Sequence, residues 1–456
     1  MEEQGPDLVN VAKRAVNRRT FLGMAGVAVS VPALLAACGG SSPSGSTGGG
    51  SGDTSGQPIK FWNQPWGNTT FNTLDGTITE GYKPAKGYPK ATYQVIQWAN
   101  FLQTYTSAVT SNTGPACSSG GGTQAFLFAH QGYIQYADDL LGQWKSNGLY
   151  DDFLPGLLDT MKTKQGYAGI PYNLDMRVGW YSPSLLQQAG ASVPTDWQSY
   201  MDTCAALKKI GVYGFGVGSG SGNYTGSHIM VSFMLNNGGG LFDKAQQPNC
   251  VTRQNIEAMN YVLELVHKGY VDPACPSYTS ANVQSQWTAG KFGMGFDTAG
   301  LSENVGGTVG AAMQLLSPLK GPSGKKGAIY FPNNIMMYKH NPTVKGTEAF
   351  LTYYYKNMHP LWTENTGIGL PVLKSITKTS AFKSSPINAK VINEWLPISH
   401  PWAYPGSSSN FYNVTAVDGT PLMGNFCQAI LGGKTDAKTA LTTLQNAIKA
   451  QIASNG

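Results

Sequence analysis

Gly169-Ile170-Pro171-Tyr172-Asn173-Leu174-Asp175, continuing through Gly179-Trp180-Tyr181-Ser182 to Leu185-Leu186, Ala189-Gly190 and Pro194-Thr195-Asp196-Trp197, is the stretch on which the fold turns. It passes from a strand-like run into a helix. Thr195 and Gln198 are spaced as a capping box, and Tyr200, Cys204 and Leu207 then make an apolar face that Gly211 ends. Working outward, Ile59-Lys60-Phe61-Trp62 reads as a first strand. Ile256, Met259, Leu263 and Val266 repeat at helical spacing before Gly269, and Leu441, Leu444, Ile448 and Ile452 line one face of a C-terminal helix. These stripes are core faces. Strand-like and helix-like segments alternate along the chain with no internal repeat, which argues an α/β fold over an all-β sandwich.

The chain has 456 residues and a formal charge of +6. It is long enough for two domains with sizeable cores. Charged residues make up 12%, against about 25% in typical soluble domains, with Gly, Ser, Thr, Asn and Gln filling the surface instead. A mild positive balance is no nucleic-acid footprint, and a neutral polar surface suits an uncharged ligand.

The first 38 residues resemble an address. Asn17-Arg18-Arg19-Thr20-Phe21-Leu22 precedes an apolar run to Ala37, similar to a twin-arginine export signal, and Leu35-Ala36-Ala37-Cys38 is similar to a bacterial lipobox. Phe21 to Ala37 is shorter than the about 20 residues of a bilayer span and carries Ser30 and Pro32. The signal departs from the twin-arginine pattern at Asn17, usually Ser or Thr, and at Gly23, usually Lys, so Sec export of the same lipoprotein stays open. Residues 1–37 are thus read as a signal peptide, Cys38 as the lipidation site, and 38–57 as anchor and Gly/Ser linker. The expected location is the cell membrane, lipid-anchored on the extracytoplasmic face. Removal of 1–37 takes Lys13, Arg14, Arg18 and Arg19 against Glu2, Glu3 and Asp7, four cations for three anions, leaving the mature part at +5. About 18 linker residues give a typical reach of about 23 Å. Of the remaining cysteines, Cys117, Cys204, Cys250, Cys275 and Cys427 include no C-x-x-C pair, so metal or redox motifs are unsupported. Cys250 and Cys275 flank one predicted helix; a disulfide and buried free thiols both remain open, since twin-arginine cargo folds in a reducing cytoplasm.

Four separated stretches, in order, resemble the family 1 extracellular solute-binding proteins, substrate-capturing subunits of bacterial ABC importers related to maltose-binding protein. The stretch from Gly169 to Trp197 is the first, with Ser182 where Asn is usual. Asn236-Asn237-Gly238-Gly239 with Leu241-Phe242-Asp243 is the second, before a long helix ending near Lys268-Gly269. Gln286-Trp287-Thr288-Ala289-Gly290-Lys291-Phe292-Gly293-Met294 is the third. Thr366-Gly367-Ile368-Gly369-Leu370-Pro371, with Ile430-Leu431-Gly432-Gly433-Lys434 leading into the last helix, is the fourth. The similarity spans most of residues 58–456 and is weakest between about 67 and 123.

The resemblance implies a two-lobed periplasmic-binding-protein-like (type II) α/β fold, with hinge strands and a ligand cleft between the lobes. Lobe one maps to 58–173 with 300–330, and lobe two to 180–296 with 335–456. A ligand bridging both lobes shifts an open-to-closed equilibrium by its differential affinity for the closed state. The implied partners are a carbohydrate ligand and two ABC permease subunits, with the membrane contacted through the lipid anchor. A monomer is expected, with no cofactor, no metal and no nucleic acid.

A carbohydrate cleft needs aromatic plates for C–H faces and side chains that both donate and accept at hydroxyl edges. The chain has 10 Trp and 23 Tyr, most of them core. Gln64 and Trp66 follow the first strand, where the family's cleft loop sits. Phe128, His130 and Gln131 match a family loop of an aromatic followed by polar ligands, with Gln131 in place of a charge. Asp175 falls where relatives put a carboxylate into the cleft, against a structural pairing with Arg177. Asp297 follows the apolar run Phe292 to Phe296, but Gly300 stands where relatives commonly carry a stacking Trp. Trp402 and Tyr404, in a Pro-bracketed loop, and Phe411-Tyr412 lie where the second lobe of relatives contributes stackers. Trp287 is expected to be structural.

Other chemistries fail on spacing. Gly433-Lys434-Thr435 would need a glycine at Gln428 for a phosphate loop, and Gly214 to Gly222 never gives Gly-x-Gly-x-x-Gly. No Gly-x-Ser-x-Gly elbow or His-Glu-x-x-His helix occurs. A receptor for a cation such as a polyamine would want several clustered carboxylates, and an anchored glycan-degrading enzyme two opposed carboxylates roughly 5 to 10 Å apart. Both rank below the sugar receptor.

Overall fold

Two long strands that cross the molecule organise everything else. The computed structural model describes residues 56–455; the expected signal peptide, Cys38 and most of the linker lie outside the described residues. Ten strands make up the sheet: β1 (Ile59–Asn63), β2 (Ala91–Val95), β3 (Cys117–Gly120), β4 (Ile134–Gln135), β5 (Ile170–Tyr181), β6 (Met294–Thr298), β7 (Gln314–Leu315), β8 (Ala328–Tyr338), β9 (Leu370–Pro371) and β10 (Ser399–His400). Its main path runs β2-β1-β3-β8-β5-β6. β1 is parallel to β2 and β3, whereas β8 and β5 are antiparallel to their neighbours on this path and β10 is parallel to β8.

β5 and β8 are buried along nearly their whole length. That is why neither shows the apolar/polar alternation of a half-buried strand. Each serves two halves of the sheet. Ile170 to Met176 of β5 pair with Ile335 to Tyr330 of β8, and Arg177 to Tyr181 pair with β6. Residues 334–337 of β8 pair with β3, and 328–329 with β10.

Around β1–β3 pack α1 (Thr69–Glu80), α2 (Phe101–Thr110), α3 (Gln124–His130) and the helix Val344–Asn357. The Asn68 side chain caps α1 by accepting from the amides of Thr70 and Phe71. Asp75 of α1 is fully buried, accepting hydrogen bonds from Asn63 and Tyr354. It therefore ties α1 to β1 and to the helix Val344–Asn357. Around β6 stand Trp197–Lys209, Thr225–Asn236, Arg253–His267, Pro421–Leu431 and Ala437–Asn455. Every residue of Thr225–Asn236 is buried, as a helix enclosed on all sides should be.

Strand pairing moves two expected boundaries. Residues 314–315 pair with Trp180 and Tyr181, and Trp395 Nε1 donates to the Leu316 carbonyl, so this part of 300–330 sits with the β6 half. Residues 335–338 lie beside β3 and β4, and Tyr355 donates to the Ile170 and Pro171 carbonyls, so the segment after 335 joins the β1 half. The reason is that β8 itself crosses, carrying the chain back.

Local readings shift by small steps. The capping box is formed by Asp196 with Ser199 and not by Thr195 with Gln198. Asp196 is the N-cap residue and accepts from the Ser199 amide at 2.8 Å, and the Ser199 bonds lower its carboxyl pKa. Phe126 to His130 is helix α3 and not a loop. Asp297 lies within β6 and not after it. All five described cysteines are free and buried, Cys250 and Cys275 included. Leu441, Leu444 and Ile448 are buried in the last helix, and Trp287 is buried in the core, in line with their stripes. No helix among the described residues is long and apolar enough to cross a membrane.

Candidate ligand-binding cleft

The loops that follow β1 and β2 at their carboxyl ends face one side of a cleft of about 550 Å³. Beyond β1, Asn63 Oδ1 accepts from the Gln64 amide and from Trp66 Nε1, both at 2.9 Å. Ser119 Oγ of β3 accepts from the same indole at 3.1 Å. Trp66 is thus pinned by its polar tip while its ring stays half-exposed. Beyond β2, Trp98 Nε1 donates to the Pro65 carbonyl at 3.1 Å. The two indoles meet edge to face, centroids 4.8 Å apart at 84°.

The crossing strands provide the floor. Asn173, Asp175 and Arg177 of β5 stand beside Phe331 and Asn333 of β8. Asn333 Nδ2 donates to Asn173 Oδ1 at 2.9 Å. Arg177 Nη1 donates to Asp175 at 2.7 Å, its Nη2 bonds His228 Nδ1 at 2.8 Å, and its guanidinium lies 5.0 Å over the Phe331 ring. A guanidinium can only donate, so Nδ1 is the acceptor and the His228 hydrogen sits on Nε2. Burial first, and Arg177 second, push the His228 pKa well below the ordinary histidine value. His228 is therefore a neutral group of fixed tautomer.

Opposite the indoles lie Asp297 and Thr298 of β6, Asn223 and Tyr224, Gln284, and Asp418. Burial pushes Asp297 up to about 6, against the lowering bond from the Thr298 amide and the nearby Arg177. Asp418 is raised by burial too, while accepting from Thr123 Oγ1 at 2.6 Å. That bond, and the edge contact of Phe101 with Tyr224 at 5.9 Å, join the two walls. Three carboxyls, one of them matched by Arg177, and a set of amides surround aromatic faces. Such a lining suits a ligand with apolar faces and hydroxyl edges.

Of the expected site residues, Trp66, Asp175 and Asp297 line this cleft, and Asp175 also makes the pairing with Arg177. The others stand elsewhere. Gln64 is fully buried under β1. Phe128 points into the core against Tyr338, because α3 is a helix and turns that face inward. Gln131 ends α3 at the exposed surface. Trp402 is 1% exposed, edge-on to His228 at 5.4 Å and Phe331 at 5.9 Å, so it backs the wall that those residues present. Tyr404 stacks on His400 at 3.7 Å, Phe411 packs on Phe242, and Tyr412 stacks on His130 at 3.7 Å. None of these four second-half aromatics faces the cleft. Gly300, where a stacking Trp was expected, has the Gly367 carbonyl 2.1 Å from where a Cβ would stand. No side chain fits there.

Sequence reasoning missed Trp98, Tyr224, His228, Phe331 and Asp418. Trp98 carried a usable signal: it lies just past the carboxyl end of β2, a parallel strand. Among the described residues no group of three His, Cys, Asp or Glu could hold a metal.

The family described as bacterial extracellular solute-binding protein matches residues 53–358. The chain belongs to that family. This solute-binding protein has the two-lobed α/β fold of its neighbours. A sugar transporter structure from Arthrobacter chlorophenolicus A6, with bound laminaribiose, is 45% identical with a TM-score of 0.84, covering 86% of this chain and 99% of that one. T. maritima MalE3 with bound maltose is 14% identical with a TM-score of 0.72, covering 86% and 99%, a likeness of fold. A putative binding protein of Brucella abortus (strain 2308) is 24% identical over 63% of this chain and 69% of its own length. Solute-binding proteins of this kind bind a substrate and are not enzymes.

Proposed function

We propose that this solute-binding protein captures an uncharged sugar or short oligosaccharide in the cleft and delivers it to the permease of an ABC importer. The observation that carries the reading is the right-angled Trp66–Trp98 pair set across from a floor of amides and carboxyls. Indole faces take the C–H side of a pyranose, and groups that both donate and accept take its hydroxyls. The laminaribiose held by the Arthrobacter relative makes a β-linked gluco-disaccharide the first ligand to try. The volume of about 550 Å³ falls within the roughly 300–1,000 Å³ of small-molecule sites.

The lobes divide at β5 and β8, with 58–173 and 333–385 on one side and 176–331 with 391–456 on the other. Cys38 carries the lipid, and the linker keeps the lobes near the permease. Replacing Cys38 by Ser releases the protein from the membrane in this account, and retention of the variant in membranes contradicts it.

Asp418 adds a third carboxyl to the cleft and so favours, as a second reading, a polyamine-like cation. Arg177, which already pairs with Asp175, and the burial that raises Asp297 and Asp418 and so disfavours their charged forms work against it. Thermal melts with gluco-disaccharides and with spermidine separate the two. At a hundredfold excess over Kd a specific ligand adds about 2.7 kcal/mol, a rise of about 3 °C for a chain of this length. A rise with spermidine and none with any sugar overturns the sugar reading.

A further inference from the structure

The floor of the cleft contains a hydrogen-bond donor that the protein leaves unspent. Asn173 is 1% exposed and lines the cleft, and its Nδ2 has no partner. It sits opposite Asn333 in the β5–β8 pairing, just past a register shift between Pro171 and Asn173. Such a bulge re-aims a side chain. Asn333 Nδ2 donates to Asn173 Oδ1, and one bond between two amides always leaves one NH2 and one carbonyl oxygen free. Turning both amides together reverses the bond and moves the free NH2 to Asn333, still leaving one unpaired.

A buried donor without a partner is costly in an empty, dry setting and favourable once a ligand oxygen meets it. We propose that the Asn173–Asn333 pair is a specificity-determining contact, its free NH2 donating to one hydroxyl oxygen of the bound sugar where the two crossing strands meet. This rests on the carbohydrate reading of the cleft. A site built around such a donor rejects an analogue lacking the matching oxygen, because the donor is then left unpaired.

The test is a double-mutant cycle in which the second change is made in the ligand. Calorimetry of the full chain with a tight-binding gluco-disaccharide and its monodeoxy analogues is expected to show one position whose loss weakens binding about 10- to 100-fold. In Asn173→Leu and in Asn333→Leu, the ratio between that analogue and the parent sugar is expected to collapse toward one. An unchanged ratio in both folded variants overturns the assignment while the carbohydrate reading stands. Protein labelled with 15N at asparagine gives a readout that needs no variant. The side-chain NH2 signals of one member of the pair are expected to shift and exchange more slowly with water at saturating sugar. Unmoved signals overturn the assignment, and a wild-type chain that binds no sugar overturns both readings.

Discussion

Trp66 donates its indole N–H to Asn63 and Ser119, and Trp98 donates its own to the Pro65 carbonyl, so both rings are held still at the cleft wall. Replacing either by Ala is expected to weaken sugar binding by about 1–3 kcal/mol, measured by calorimetry. Trp402 is the contrast. Its ring is buried behind His228 and Phe331, so Trp402→Ala is expected to cost about 3–5 kcal/mol of stability, read from denaturant unfolding. A stable Trp402→Ala variant with lost affinity would reverse these two roles. Asp75 makes a second prediction. Burial, opposed by bonds from Tyr354 and Asn63, raises its pKa from 3.8 to about 6. The folded chain therefore keeps a proton that the unfolded chain has released. The contribution of Asp75 is fully present below about pH 4 and is lost as pH rises through about 6. Relative to Asp75→Asn, the wild type is expected to lose stability across that window, on the order of 3 kcal/mol at most. Parallel stability profiles for the two proteins contradict it.

The elements show how much of this could be read from the chain. β1, the helix Arg253–His267 and the last helix were legible because one face of each is buried and periodicity records it. β5 and β8 show no alternation, being buried on both sides, and only the resemblance around Asn173 marked the first of them. The path of β8 carries the chain between the two halves of the sheet, and pairing of distant strands leaves no local trace. The same holds for the site: Trp66 and Asp297 follow or close strands and were found, whereas His228 sits in a helix buried all round and carried no periodic signal. Trp402 misled because a proline-bracketed loop resembles an exposed one, yet its indole had a core slot to fill. At this scale Gly419 is the sensitive joint. It has φ +69°, and an added Cβ would stand 2.6 Å from Phe101 of α2, on the opposite wall. Gly419→Ala is expected to hinder closure, giving a larger radius of gyration with saturating sugar than the wild type shows in small-angle scattering. Equal radii contradict that view of the rim.

For the whole molecule, β5 and β8 are both hinge and floor. A ligand seated on Asn173, Asp175 and Asn333 touches the strands about which the lobes turn and, through Trp66 and Asp297, both walls. Its binding energy is then coupled to closure, because the walls meet only when the cleft is shut. The Thr123–Asp418 bond and the Phe101–Tyr224 contact join the two walls across the cleft. The most direct measurement is isothermal titration of the full chain with laminaribiose and other short gluco-oligosaccharides, with the sugar recovered afterwards. Saturable one-to-one binding, return of the sugar intact, and a loss of affinity in Trp66→Ala and Trp98→Ala are expected. Absence of binding by any sugar, or recovery of cleaved product, would contradict it.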